Sequence, residues 1–296
     1  MKNQRWSLYT TAEDDEASRR LAKLESQDVH LPETRVNLRD GSLLRLIPLG
    51  EFTMGSAPSD DGDTQPETLQ CRVMVPIFYM ALHAVTNEQF AHFLNEARPT
   101  PDRLREWLPH AGLILPSPAS DGSYRVKSGY ERHPVVQISW FGADAYVRWA
   151  GLRLPTEIEW EKAARGTDGR IFPWGNEWDE SRLRWHGGDR PEGETTAPVD
   201  AYPEGCSPFG CFQMAGNVEE WCEGHYQADA YDRYATGDLR TPASGRGRVV
   251  RGGSFIHCGS MEFRCAMRRS CPALPSKTHY TGLRCASSEL LWTLKR

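Results

Sequence analysis

Nowhere in this 296-residue chain does an apolar run approach the roughly 20 residues that a membrane-spanning helix requires. The opening stretch, MKNQRWSLYTTAEDDEASRR, also lacks the apolar segment of a signal peptide, so the expected location is the cytoplasm. Excess positive charge is missing too. Lys and Arg total 35 against 40 Asp and Glu, a net charge of −5, which argues against nucleic acid as a partner. The eight cysteines include no Cys-x-x-Cys pair, which excludes a zinc ribbon. In a reducing compartment such cysteines are buried thiols or members of a site. No internal repeat and no central linker divides the chain, which favours one main domain.

What is present changes character along the chain. Residues 1–38 form a polar N-terminal extension, with ASRRLAKL as its helical candidate. From SLLRLIPLGEFTMGS onward, short apolar runs broken by Gly and Pro predict strands. The segment APSDDGDTQPETLQ is rich in Asp, Pro and Gly and predicts a solvated loop. Three helices stand out. Thr86 with Gln89, and Thr156 with Glu159, each form a capping-box pattern before an apolar stripe, and a third helix runs from Ser139 to a stop at Gly151. Beyond Gly166 turns dominate, and ten tryptophans imply an irregular fold held by aromatic packing. Together these predict an α+β domain.

Seven motifs in order carry a resemblance: IPLGEFTMGS, HAVTNEQFAHFLN, HPVVQISWFGADAYVRWAGLRLPTEIEWEKAARG, FPWGNEW, FQMAGNVEEW, RGGSF and GLRCA. This series resembles the formylglycine-generating enzyme family, also called the sulfatase-modifying-factor domain. The resemblance covers residues 39–287 and leaves 288–296 as a C-terminal tail. It implies a variant C-type-lectin fold with little regular secondary structure. Function does not follow from that fold alone.

The resemblance also says where a site should lie. Its enzymes hold copper with two cysteines, five residues apart, just after Gly-Gly-Ser; soft thiolates suit copper(I). The matching positions here are His257 and Glu262, with Cys258 one residue beyond the first. His257, Cys258 and Glu262 are the candidates for any catalytic role, and copper or iron stays open as a cofactor. The spacing of His257 and Glu262 suits neither a strand face nor a helix face, so only a loop would bring them together on a metal. The alternative is a histidine exposed or hydrogen-bonded locally. In EFRCAMR, apolar Phe263, Cys265 and Met267 alternate with Glu262, Arg264 and Arg268, which predicts a strand with Cys265 buried. Its polar face would then recognise an anion or form surface salt bridges.

Two further positions follow from the motifs. Where the enzymes have a tryptophan lining the oxygen pocket, GNVEEW places Glu219, a carboxylate that is costly to desolvate. By the same motif, Gln213 and Glu220 side chains with Gly216 and Val218 carbonyls would hold calcium through oxygen alone; the alternative is a turn held by its own hydrogen bonds. The leading expectation is a non-catalytic module that binds a protein or peptide partner. Its face would comprise Ile256, His257, Glu262, Glu219, Arg264 and Arg268 on scaffold loops. The alternative is a metal-dependent oxidoreductase acting on a peptide or small molecule, including a rearranged formylglycine-generating enzyme that uses Cys258.

Overall fold

A computed structural model describes residues 33–57, 69–110, 112–117, 122–188, 195–274 and 280–288. The predicted N-terminal helix, most of the acidic loop and the end of the tail lie outside the described residues.

Two four-stranded sheets frame the molecule. The first has the order β1-β2-β5-β12, built from Thr34–Val36, Leu43–Ile47, Phe78–Ala81 and Ala286–Ser287, all antiparallel. The second has the order β10-β9-β8-β11, from Arg268–Cys271, Arg248–Arg251, Glu219–His225 and Thr281–Leu283. Its β8–β11 pair is parallel and the other two pairs are antiparallel. Two hairpins, β3 (Gly50–Met54) with β4 (Cys71–Val75) and β6 (Ile114–Pro116) with β7 (Tyr124–Val126), complete the strands.

The helices start where the caps predict. α1 (Asn87–Ala97) and α4 (Glu157–Arg165) open on complete capping boxes at Thr86 and Thr156. α3 (Trp140–Trp149) opens on Ser139, whose hydroxyl accepts from Gly142 N–H. The short α2 (Pro101–Trp107) and α5 (Ala230–Ala235) lie between longer loops. The apolar faces of α1 and α3 meet through Phe90, Phe93 and Tyr146, whose rings lie 5.3–5.7 Å apart. No helix among the described residues is long and apolar enough to cross a membrane.

Charge buried on α4 fixes the second sheet. Glu157 is bidentate to Arg268 of β10 at 2.7 and 2.8 Å. Glu161 takes the Arg251 guanidinium of β9 and also accepts from Tyr231 hydroxyl at 2.8 Å. Each of these four charged side chains is at most 4% exposed, so each needs its partner.

The strand expected over residues 262–268 is a correction. Ser260–Phe263 forms a 3-10 turn, and β10 begins only at Arg268. The reason is local: the buried Arg251 guanidinium donates to the carbonyls of Cys265, Ala266 and Met267, so these do not enter a ladder. Cys265 is nonetheless fully buried, in the core beside Trp160 and Met214, and burial pushes its thiol up to about 12. Arg264 and Arg268, expected on an outward polar face, are 2% and 3% exposed. Arg264 donates to Ser56 hydroxyl and Met261 carbonyl, while Arg268 is held by Glu157. Neither presents its side chain to solvent.

Candidate functional site

The Gly252–Gly253 turn after β9 delivers the loop that forms one wall. Gly253 has φ +66°, and a Cβ there would lie 2.7 Å from the Glu262 carbonyl oxygen, so only glycine lets the loop fold back. Phe255 N–H then bonds the Asn217 carbonyl at 3.0 Å, and His257 carbonyl accepts from His186 N–H at 3.1 Å. Strand β8 supplies Glu219, β10 supplies Arg269, and Tyr280 precedes β11 beside them.

Four side chains converge. Arg269 Nη1 lies 2.5 Å from His257 Nε2 and 3.3 Å from Glu262 Oε2. Its Nε is 3.5 Å from Glu219 Oε1, which in turn is 3.9 Å from His257 Nε2. The loop thus does bring His257 and Glu262 together, through a guanidinium between them. Tyr280 and Phe263 lie at steep angles to the imidazole, with ring centroids 5.9 and 6.3 Å from it. Phe263 itself stacks on Trp178 at 5.7 Å, which ties the site to the tryptophan cluster.

Electrostatics follow from that geometry. His257 Nδ1 accepts from Ser254 N–H at 2.9 Å, so that nitrogen carries no proton and the ring is neutral, with Nε2 facing Arg269. Burial and the Arg269 charge accordingly lower its pKa. Glu219 is 2% exposed, and burial pushes its carboxyl up to about 7, only partly opposed by Arg269. The desolvation cost expected at this position is therefore present in the fold.

The donor set does not fit two-thiolate copper. Its positions hold an imidazole and a carboxylate with a guanidinium between them. Cys258 is exposed, its Sγ lying 3.9 Å from the Ile256 carbonyl oxygen, whereas Cys265 is sealed in the core. Among the described residues, no group of three or more His, Cys, Asp or Glu side chains is arranged to hold a metal ion.

The side chains expected to hold calcium are engaged within the protein. Glu220 is bidentate to Arg284, with contacts of 2.8 and 3.0 Å, and accepts from Trp160 Nε1 at 2.7 Å. Gln213 Oε1 accepts from Asn217 Nδ2 at 2.5 Å, while its amide donates to the carbonyls of Pro198 and Ala201. Gly216 N–H bonds the Gly252 carbonyl at 2.8 Å, and the Val218 side chain packs with Ala84 and Val199. The side-chain oxygens required for calcium already have protein partners.

Of the residues read from sequence, Ile256 (40% exposed), His257, Glu262 and Glu219 gather at the site. Arg269 was missed. Its only signal was the Arg-Arg doublet, since neighbours on a strand face opposite sides.

The sulfatase-modifying factor enzyme 1-like domain description matches residues 30–289. A formylglycine-generating enzyme of Thermomonospora curvata is 36% identical over 287 residues, covering 82% of this chain and 93% of that protein. The serine/threonine-protein kinase Pkn1 of Chlamydia trachomatis is 36% identical over 247 residues, 80% of this chain. The chain spans only 37% of that kinase's length. Among solved structures, PvdO from Pseudomonas aeruginosa superposes with a TM-score of 0.68 at 20% identity, covering 88% of this chain and 99% of that one. At that identity the likeness bears on the fold alone.

Proposed function

The chain belongs to the sulfatase-modifying factor enzyme 1-like family, with its variant C-type-lectin fold, and we propose that it is a non-catalytic binding module. The observation that carries this is Arg269, whose guanidinium lies between His257 and Glu262, the positions that the resemblance assigns to copper thiolates. A tethered guanidinium supplies charge and directional donors but no redox chemistry. Half-exposed Ile256 and the partly exposed Glu262 and Arg269 give this face both apolar and charged contacts. The partner is a protein or peptide, met in a reducing cytoplasm where the eight cysteines stay as thiols.

A second reading rests on the likeness to formylglycine-generating enzymes and on exposed Cys258: a rearranged oxidase acting on a cysteine peptide. One experiment separates the two. Copper-treated protein is incubated with a Cys-x-Pro-x-Arg peptide, and partner capture from the native host is run with wild type and with Ile256→Ser/Glu262→Ala. The binding reading expects no aldehyde by mass spectrometry and loss of capture in the folded variant. Aldehyde formation that disappears in Cys258→Ser would establish the oxidase instead.

A further inference from the structure

Glu219 lies at the bottom of the cluster, and among the described residues its Oε1 accepts no hydrogen bond. Native proteins pair almost all buried polar atoms, so an orphaned carboxylate oxygen at 2% exposure marks a place built to receive a donor. Arg269 answers that need poorly. Its Nε stays 3.5 Å from Oε1, its Nη1 is divided between His257 and Glu262, and its side chain is 40% exposed. Among the described residues the charges are also unequal: with Glu219 ionised, two carboxylates face one guanidinium and a neutral imidazole. An anion entering here would meet net negative charge; a cation would complete the balance. The half-buried Tyr280 beside His257 adds an aromatic ring near the carboxylate, and a planar guanidinium stacks on such rings more readily than an ammonium does.

We propose that the Glu219 slot is a receptor for a guanidinium group presented by a ligand, such as an arginine side chain of a partner peptide, and that Arg269 occupies it as an internal stand-in. The proposal rests on the binding-module reading of this face and names the chemistry that the face recognises. Entry of the ligand turns Arg269 outward, where its partial exposure already leads, and supplies Glu219 Oε1 with the N–H donor it lacks among the described residues. The planar fork of a guanidinium can bridge Glu219 and Glu262 together, which a compact ammonium does less well.

The test uses the full chain and methylguanidinium chloride, titrated by heteronuclear NMR at constant ionic strength against wild type, Arg269→Ala and Arg269→Ala/Glu219→Gln. Arg269→Met serves as a second version of the first variant should the alanine protein fold poorly. Removing the stand-in is expected to tighten binding at least tenfold over wild type, with shifts centred on Glu219, Tyr280 and Thr281. Adding Glu219→Gln is expected to abolish that gain, and methylammonium is expected to bind more weakly than methylguanidinium. Binding no tighter in Arg269→Ala and Arg269→Met than in wild type would overturn the proposal, as would equal binding when Glu219 is Gln. The outcome is separable from the wider reading. If Ile256→Ser/Glu262→Ala loses the partner while methylguanidinium binds none of the proteins, the face is a binding face and the guanidinium slot is wrong.

Discussion

Replacing Glu219 by Gln should stabilise the protein, by an amount that grows as pH rises above about 4.5. Glu219 is 2% exposed, and burial lifts its carboxyl from the ordinary 4.5 to about 7. A raised carboxyl pKa means that the folded state holds the proton more tightly than the unfolded chain. Stability therefore falls as pH rises, beginning near 4.5 and ending near 7, because in that window the unfolded state has already released the proton. At about 1.4 kcal/mol per tenfold change in proton affinity, the full penalty above pH 7 is roughly 3 kcal/mol. Gln keeps the shape and cannot ionise, so it escapes the penalty. Urea unfolding of both proteins at pH 4.5, 6 and 8 reads the effect directly, with the midpoint compared at constant slope. We expect nearly equal midpoints at pH 4.5 and a Glu219→Gln advantage that grows toward roughly 3 kcal/mol at pH 8. A difference between the two proteins that stays flat from pH 5 to 8 would refute the reasoning. It would mean that Arg269 fully compensates the carboxylate.

Other outcomes follow from the same contacts. Calcium or a chelator should leave the melting temperature unchanged, whereas Arg284→Met should cost about 3–5 kcal/mol because it leaves Glu220 buried and unpaired by charge. A calcium-dependent melting shift lost in Glu220→Gln would contradict this. Phe263→Ala should cost roughly 3–5 kcal/mol in chemical denaturation, since that ring is fully buried. Ile256→Ala, at a 40% exposed position, should stay within about 0.5 kcal/mol. Native alkylation followed by mass spectrometry should modify Cys258 first, with Cys265, buried and pushed up to about 12, protected until unfolding.

The helices were legible because their signals are local. Thr86, Ser139 and Thr156 each accept from a backbone N–H three residues on, a bond that needs no distant partner. The Cys265 segment shows the opposite case. Its alternation of Phe263, Cys265 and Met267 is real in sequence, and two of the three are fully buried. The cause is a turn whose carbonyls meet Arg251, a side chain more than ten residues upstream, and nothing local announces that. The misplacement also hid a site residue. Starting β10 at Arg268 sends Arg268 toward Glu157 and Arg269 toward Glu219, so an error in where the strand begins exchanges core and site.

One physical change accounts for both departures from what the resemblance implies. At the copper position, Arg269 lies among His257, Glu262 and Glu219. At the calcium position, Arg284 closes on Glu220 and extends to the carbonyls of Ala81, Leu82 and Phe212, joining β5 to β8. In each place a guanidinium pairs with a carboxylate at a position where the resemblance puts metal ligands. The two substitutions differ in how completely they fit. Arg284 is fully buried and saturated, donating to three carbonyls and both Glu220 oxygens, so it acts as a permanent structural cation. Arg269 is partly exposed and leaves a Glu219 oxygen without a hydrogen bond among the described residues. A saturated pair resists exchange, because opening it exposes several unmet donors and acceptors at once. An unsaturated one gains a bond when a better donor arrives. The contrast between the two guanidinium sites, rather than the family fold they share, is what supports the proposal of a ligand at the Arg269 face.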